Sequence, residues 1–180
     1  MSSQRITFRP AVPFDAEGIA RVHVQSWRET YAGIIPEERL KALSVAERTQ
    51  RWRDLLALPA PDAALFVAFN GPLIVGFGHC GRQRSKQLEH AGEFNAIYVL
   101  KEMQRTGVGR QLMAAMKEHL QACGITSASL WVVKENADAR AFYEALGGQA
   151  VAEKTEHRNG YALNEIAYGW RELEGLGRRQ

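Results

Sequence analysis

Apolar positions along this chain fall into two rhythms, and the switches between them divide it into elements. Arg5 to Arg9 reads as a first strand, ended by Pro10. Residues 13–34 read as a helix with Asp15 as N-cap, a rough stripe of Ile19, Val22, Trp27 and Tyr31, and Gly33 as its stop. Pro36 suits the first position of a short second helix, Glu37 to Leu43. Ser44 with Glu47 forms a capping-box pattern ahead of Trp52, Leu55 and Leu56, so a third helical piece starts there, and "LPAPDA" breaks it. Two apolar runs then flank Asn70-Gly71 and predict a hairpin. The polar stretch 81–92 is a loop or a fraying strand end, and "EFNAIYVL" is the next strand. Val108, Leu112, Met116 and Leu120 recur every fourth residue, which marks an amphipathic helix closed by Gly124. "SASLWVV" is a strand. Asn136 caps a helix with Ala139, Phe142 and Leu146 on one side and Gly147-Gly148 at its end, and a second hairpin turns at Asn159-Gly160. Trp52 and Trp131 read as core. The order is β, helices, β, β, β, α, β, α, β, β. A central mixed sheet with helices on both faces buries such a set.

Composition narrows the function. The length of 180 residues suits one domain, 1–180. A net charge of +3 without a basic stripe argues against nucleic acid as a partner. No apolar stretch is long enough to cross a bilayer, and the N-terminal residues carry no apolar leader, so no membrane association is expected. Cys80 and Cys123 lack metal-ligand spacing; they read as small buried hydrophobes in a reducing, cytoplasmic setting, with no metal expected.

The chemistry concentrates in "MQRTGVGRQLM", residues 103–113. Gly107 and Gly109 stand where a strand passes into a helix. A helix start offers free N–H groups and the positive end of a dipole. Glycines remove the Cβ that would keep a ligand off the backbone. With Arg105 and Arg110 this makes an anion cradle suited to a pyrophosphate. The string is not a P-loop, and Leu112 stands where a dinucleotide fingerprint requires its third glycine. Taken alone, the glycines fit a plain strand-to-helix turn better than an anion loop.

The context of that loop is more specific. Gln104-Arg105-Thr106-Gly107-Val108-Gly109 resembles the Gln/Arg-x-x-Gly-x-Gly/Ala signature of the GNAT N-acetyltransferase superfamily. "NAIYVLKEMQRTGVGRQLMAAM" resembles the strand–loop–helix core of that family, "NADARAFYEALGG" its next motif, and "SWRETYAGIIP" the first helices of small bacterial members. The resemblance implies an α/β (α+β) acyl-CoA N-acyltransferase fold, a mostly antiparallel sheet of about seven strands with helices on both faces. It implies acetyl-CoA as cosubstrate, with Gln104, Arg105, Thr106, Gly107, Val108, Gly109 and Arg110 around its pyrophosphate. Ile97, Tyr98 and Val99 would line the pantetheine arm, a backbone N–H there would polarise the thioester, and the strands 94–99 and 128–133 would splay to admit it.

Acetyl transfer to an amine requires an anchored donor, a polarised carbonyl, a neutral amine and a stabilised thiolate. By the same resemblance Tyr143 is the candidate general acid and also borders the cofactor, as does Asn136. Glu93 is the candidate base through water, with His79 and His23 as competitors. Trp27 and Tyr31, one helical turn apart, are candidates for the wall of the acceptor pocket. The acceptor is expected to be a primary amine of a small molecule or peptide. A non-catalytic acyl-CoA-binding module acting through a protein partner is the alternative. The final hairpin leaves a strand edge with which a second copy could form a homodimer.

Overall fold

A computed structural model describes residues 5–158 and 160–177. Seven strands form one sheet: β1 (Thr7–Pro10), β2 (Ala64–Asn70), β3 (Leu73–Arg82), β4 (Gly92–Val99), β5 (Ala128–Val133), β6 (Gln149–Arg158) and β7 (Tyr161–Trp170). Their spatial order is β1-β2-β3-β4-β5-β7-β6, and every pairing is antiparallel except the parallel β4–β5 pair. Helices α1 (Ala16–Thr30), α2 (Glu37–Lys41) and α3 (Val45–Ala57) cover one face; α4 (Val108–Ala122) and α5 (Ala137–Ala145) cover the other.

The side-chain periodicity explains this layering. Val108, Leu112, Met116 and Leu120 are all buried and press α4 onto the sheet. The approach is close: a Cβ on Gly78 of β3 would lie 2.8 Å from Met116 Cε. On the opposite face Ile19 and Val22 of α1 pack with Trp52 of α3 against Leu65, Val67 and Phe77. Ser44 accepts from the Glu47 amide and starts α3 as its sequence suggests.

Three expectations need correction. Asp15 stands at the start of α1 without capping it. Its buried carboxylate instead takes the Val12 amide and a two-pronged bond from Arg9, because an arginine fork outcompetes a neutral amide for a carboxylate. The first hairpin turns on Gly71-Pro72, one residue later than expected. Asn70 pairs with Leu73, and Gly71 at φ 59 followed by proline suits a two-residue turn with glycine in the first central position. Trp131 is outside the core: it is half-buried, with Lys154 Nζ 4.5 Å from its ring centroid. The second hairpin forms between β6 and β7, but Asn159 lies outside the described residues.

Candidate active site

The site begins where the sheet comes apart. β4 and β5 pair only at Gly92–Ala128 and Glu93–Ser129, at one end of both strands. Beyond these pairs β4 stays joined to β3 through Val99, and β5 stays joined to β7 through Val133. The two halves of the sheet therefore diverge and leave a wedge between them.

The β4 edge of this wedge carries free backbone. Leu100 donates to Val75 of β3. In an antiparallel ladder the inward-bonded residues alternate, so Tyr98 and Ala96 also address β3, while Val99 and Ile97 turn their N–H and C=O toward the gap. The side-chain amide of Gln104 reaches Val99 O at 3.2 Å, which fixes the direction of that carbonyl.

The glycine loop closes the wide end. A short 3-10 turn at Lys101–Met103 leads to Gln104, and Thr106 Oγ1 binds Met103 O at 2.7 Å. Arg105 and Gly107 both adopt left-handed backbone, φ 62 and 91. Gly107 is the N-cap of α4, and a Cβ there would meet nothing within 4 Å. The first helical bond runs from Gln111 to Gly107, so the amides of Val108, Gly109 and Arg110 point out of the helix end unpaired by that ladder. The two glycines divide the work differently from expectation. Gly109 makes room for a neighbouring side chain rather than a ligand: its Cβ position lies 3.2 Å from Phe142 Cζ, so this glycine lets α5 approach α4. The exposed Arg105 lies 3.8 Å from Asp138, and Arg110 reaches Gly177 O at 3.5 Å.

α5 supplies the next element. Asn136 Oδ1 caps it through the Ala139 amide at 3.1 Å. Tyr143 lies in the core, 6% exposed, with its ring against Phe142, Tyr168 and Trp170. Burial raises its phenol above the ordinary tyrosine value, and the nearby Tyr98 adds to the rise. Tyr31 is raised in the same way by burial, Tyr98 and Tyr143. Tyr31, Tyr98 and Tyr143 thus lie near enough to influence one another electrostatically.

The face under α1 and α3 is aromatic and polar. Trp27 donates from Nε1 to Tyr98 Oη at 2.9 Å and meets Tyr31 edge-on at 5.1 Å between ring centroids. His23 stacks on Tyr98 at 4.9 Å and accepts at Nδ1 from Trp52 Nε1. Burial, with the charges of Arg48 and Arg51, pushes His23 down to about 3, which makes it a neutral packing group. Glu93 is buried and held by Arg84, whose side chain reaches both carboxylate oxygens at 2.9 and 3.0 Å while its amide binds one of them. Burial acts to raise the Glu93 carboxyl, but Arg84 outweighs it and the net shift is downward. Burial and Arg84 push His79 down to about 4. Its Nε2 has no hydrogen-bond partner among the described residues, nor have Asn95 Nδ2 and Trp131 Nε1. Arg48, Arg84, Asn95 and Trp131 escape a reading of the sequence because their neighbours arrive from other elements. Only the four-residue step from Arg48 to Trp52 hints that they share one helix face.

Comparison with known proteins agrees with this geometry. The profile of the acetyltransferase (GNAT) family matches residues 24–148, which span both the wedge and the loop. An uncharacterised N-acetyltransferase of Bacillus subtilis, YuaI, is 37% identical over 172 residues, covering 95% of this chain and 96% of that protein. The PaiA N-acetyltransferase of Thermoplasma acidophilum, solved with coenzyme A, superposes with a TM-score of 0.69 at 22% identity, over 90% of this chain and 98% of that one. The yncA acetyltransferase of Salmonella typhimurium, solved with acetyl-CoA, gives 0.70 at 18% identity, over 94% of each chain. With the family match spanning most of its length, this chain belongs to the acetyltransferase (GNAT) family and is an acetyl-CoA-dependent N-acetyltransferase.

Proposed function

We propose that the enzyme moves an acetyl group from acetyl-CoA directly to a primary amine of a small molecule or peptide, with the wedge between β4 and β5 as the donor channel. The observation that carries this reading is the stretch of β4 from Ile97 to Val99 that has no strand partner on its β5 side among the described residues, with only Val99 O taken up, by the Gln104 side chain. This stretch offers a strand-like partner to the two amides of the pantetheine arm, and an N–H within it polarises the thioester carbonyl. The loop from Gln104 to Arg110 receives the pyrophosphate at the start of α4, with Gly107 supplying the backbone turn and the amides of Val108, Gly109 and Arg110 the donors. Asn136 holds the start of α5, which carries Tyr143.

Tyr143 then acts on the leaving group. A phenol raised by burial keeps its proton at neutral pH and can give it to the departing thiolate as the C–S bond breaks. The amine loses its proton to water beside Glu93, whose carboxylate stays ionised through the neutral range. The Arg84 clamp leaves Glu93 a weak base, so desolvation of the amine contributes to keeping it neutral. Trp27 and Tyr31 wall the acceptor side.

The test is acetyl-CoA titration followed by an amine panel. Acetyl-CoA is expected to raise the melting temperature, and thiol release is expected to require an added amine. Absence of any thermal shift at saturating acetyl-CoA would remove this reading.

A further inference from the structure

The charges on the acceptor face do not balance, and the excess has one sign. The acids there each have a basic partner: Glu93 has Arg84, Glu156 has Arg158 at 2.9 Å, and Glu165 has Lys154 at 3.1 Å. The Arg48 guanidinium has neither an ion pair nor a hydrogen bond among the described residues; its backbone N–H bonds Ser44 O within the helix, and Glu47, next to it in the chain, is the acid that acts on its charge. Arg48 is half-buried, with its guanidinium carbon 5.7 Å from the centroid of Trp27.

The position of Arg48 follows from α3. One turn further along the helix, Trp52 sits over β3 against Phe77 and His79. Arg48 extends the same helix face toward the wedge, where Tyr98 and Arg158 lie close enough to act on it electrostatically. Burial works most strongly against its charge, followed by Arg51 and Arg158, while Tyr98 and the exposed Glu47 support it, and the net shift is downward. A guanidinium is always charged and presents a planar fork of donors. Holding it in a half-buried place beside other arginines is unfavourable unless an anion arrives to pair with it. The same face holds one further donor without a hydrogen-bond partner among the described residues, Trp131 Nε1.

We infer that the acetyl acceptor is an amine that also bears an oxyanion, and that Arg48 binds this oxyanion as the specificity-determining residue of the acceptor pocket. The inference rests on the proposed acetyl transfer to an amine. A carboxylate fits the guanidinium fork in two-pronged fashion; a phosphonate offers the same chemistry with a third oxygen. Neutral amines and polyamines lack the group that Arg48 needs.

The test uses the full chain and matched acceptors: α-, β- and γ-amino acids, the corresponding aminoalkylphosphonates, and the amino acid amides. Turnover is read as acetyl-CoA-dependent thiol release. Wild-type enzyme is expected to favour an anionic acceptor over its amide by about a hundredfold in kcat/KM, because a buried polar site rejects an analogue that leaves it unpaired. Arg48→Gln is expected to remove most of that preference by raising KM for the anionic acceptors far more than for their amides, with the acetyl-CoA thermal shift retained. Arg48→Lys is expected to restore part of it, since charge returns without the fork. Preference for carboxylates over phosphonates, or the reverse, identifies the oxyanion. Equal use of the amides by wild type, or equal loss on both acceptor types in Arg48→Gln, overturns the inference while leaving the transferase reading intact. Failure to acetylate any amine overturns both.

Discussion

Replacing Gly107 by valine separates backbone strain from cofactor binding. Gly107 lies at φ 91 with open space around its Cβ position, so the substitution costs conformation and not contact. A β-branched residue in that region carries about 1–3 kcal/mol of strain. For a chain of this length that lowers the melting temperature by roughly 2–4 °C per kcal/mol. Gly124, just beyond the other end of α4, has the same character: φ 74 and nothing within 4 Å. Gly124→Val should therefore destabilise to a similar extent while leaving the loop alone. Acetyl-CoA distinguishes the two. At a hundred times its Kd, a ligand stabilises the native state by about 2.7 kcal/mol. A hundredfold loss of affinity at the same concentration leaves about 0.4 kcal/mol. A ligand-dependent shift of several degrees should thus persist in Gly124→Val and fall to about 1–2 °C in Gly107→Val, as read by thermal denaturation with and without acetyl-CoA. If Gly107→Val melts lower but retains the full shift, the loop at the start of α4 does not bind the pyrophosphate.

Tyr143→Phe should lower kcat by about a hundredfold or more, in line with the loss of a general acid, with acetyl-CoA affinity nearly unchanged; full turnover in this variant refutes the assignment. Backbone amides of Ile97 and Val99 should become protected from hydrogen exchange when acetyl-CoA binds, whereas Tyr98, already bonded to β3, should change little. Equal protection at all three positions would contradict the inferred ladder. His23, held down to about 3 in the fold, binds its proton more readily when unfolded, so it lowers stability as pH falls from about 6.5 toward 3. His23→Gln can still accept the Trp52 N–H, and its melting temperature should decline less steeply than wild type over that interval, measured in matched buffers.

The elements that rest on local rules were legible. The four-residue stripe of α4, the Ser44 and Asn136 caps and the Gly107 turn each depend on residues within a few positions of one another. Where a distant group intervened, local rules failed. Asp15 has the right type and place for a cap, yet Arg9 claims its carboxylate. Gly109 reads as a ligand-facing glycine until Phe142, 33 positions later, is seen to occupy its Cβ space. Trp131 reads as core because its strand is apolar, but it faces Lys154 across β7. Glu93 reads as a candidate base until the preceding loop, between β3 and β4, is seen to lay Arg84 onto it.

The same distinction separates the donor from the acceptor. The proposed acetyl-CoA site is built from backbone: a left-handed glycine, the free amides of one helix end and two residues of unpaired ladder. Backbone geometry follows from short strings, and a missing strand partner follows from the order of the elements. Nothing in the donor side therefore demands a particular distant side chain. The acceptor side is the reverse. Trp27 comes from α1 and Tyr31 from the residue that ends it, Arg48 from α3, Asn95 from β4, Trp131 from β5 and Glu165 from β7. Its character lies in a balance, with each acid matched and one arginine left over, and such a balance exists only after the chain has folded. Exchanging Arg48 leaves the donor backbone untouched, so specificity in this fold can change without disturbing the machinery that supplies the acetyl group.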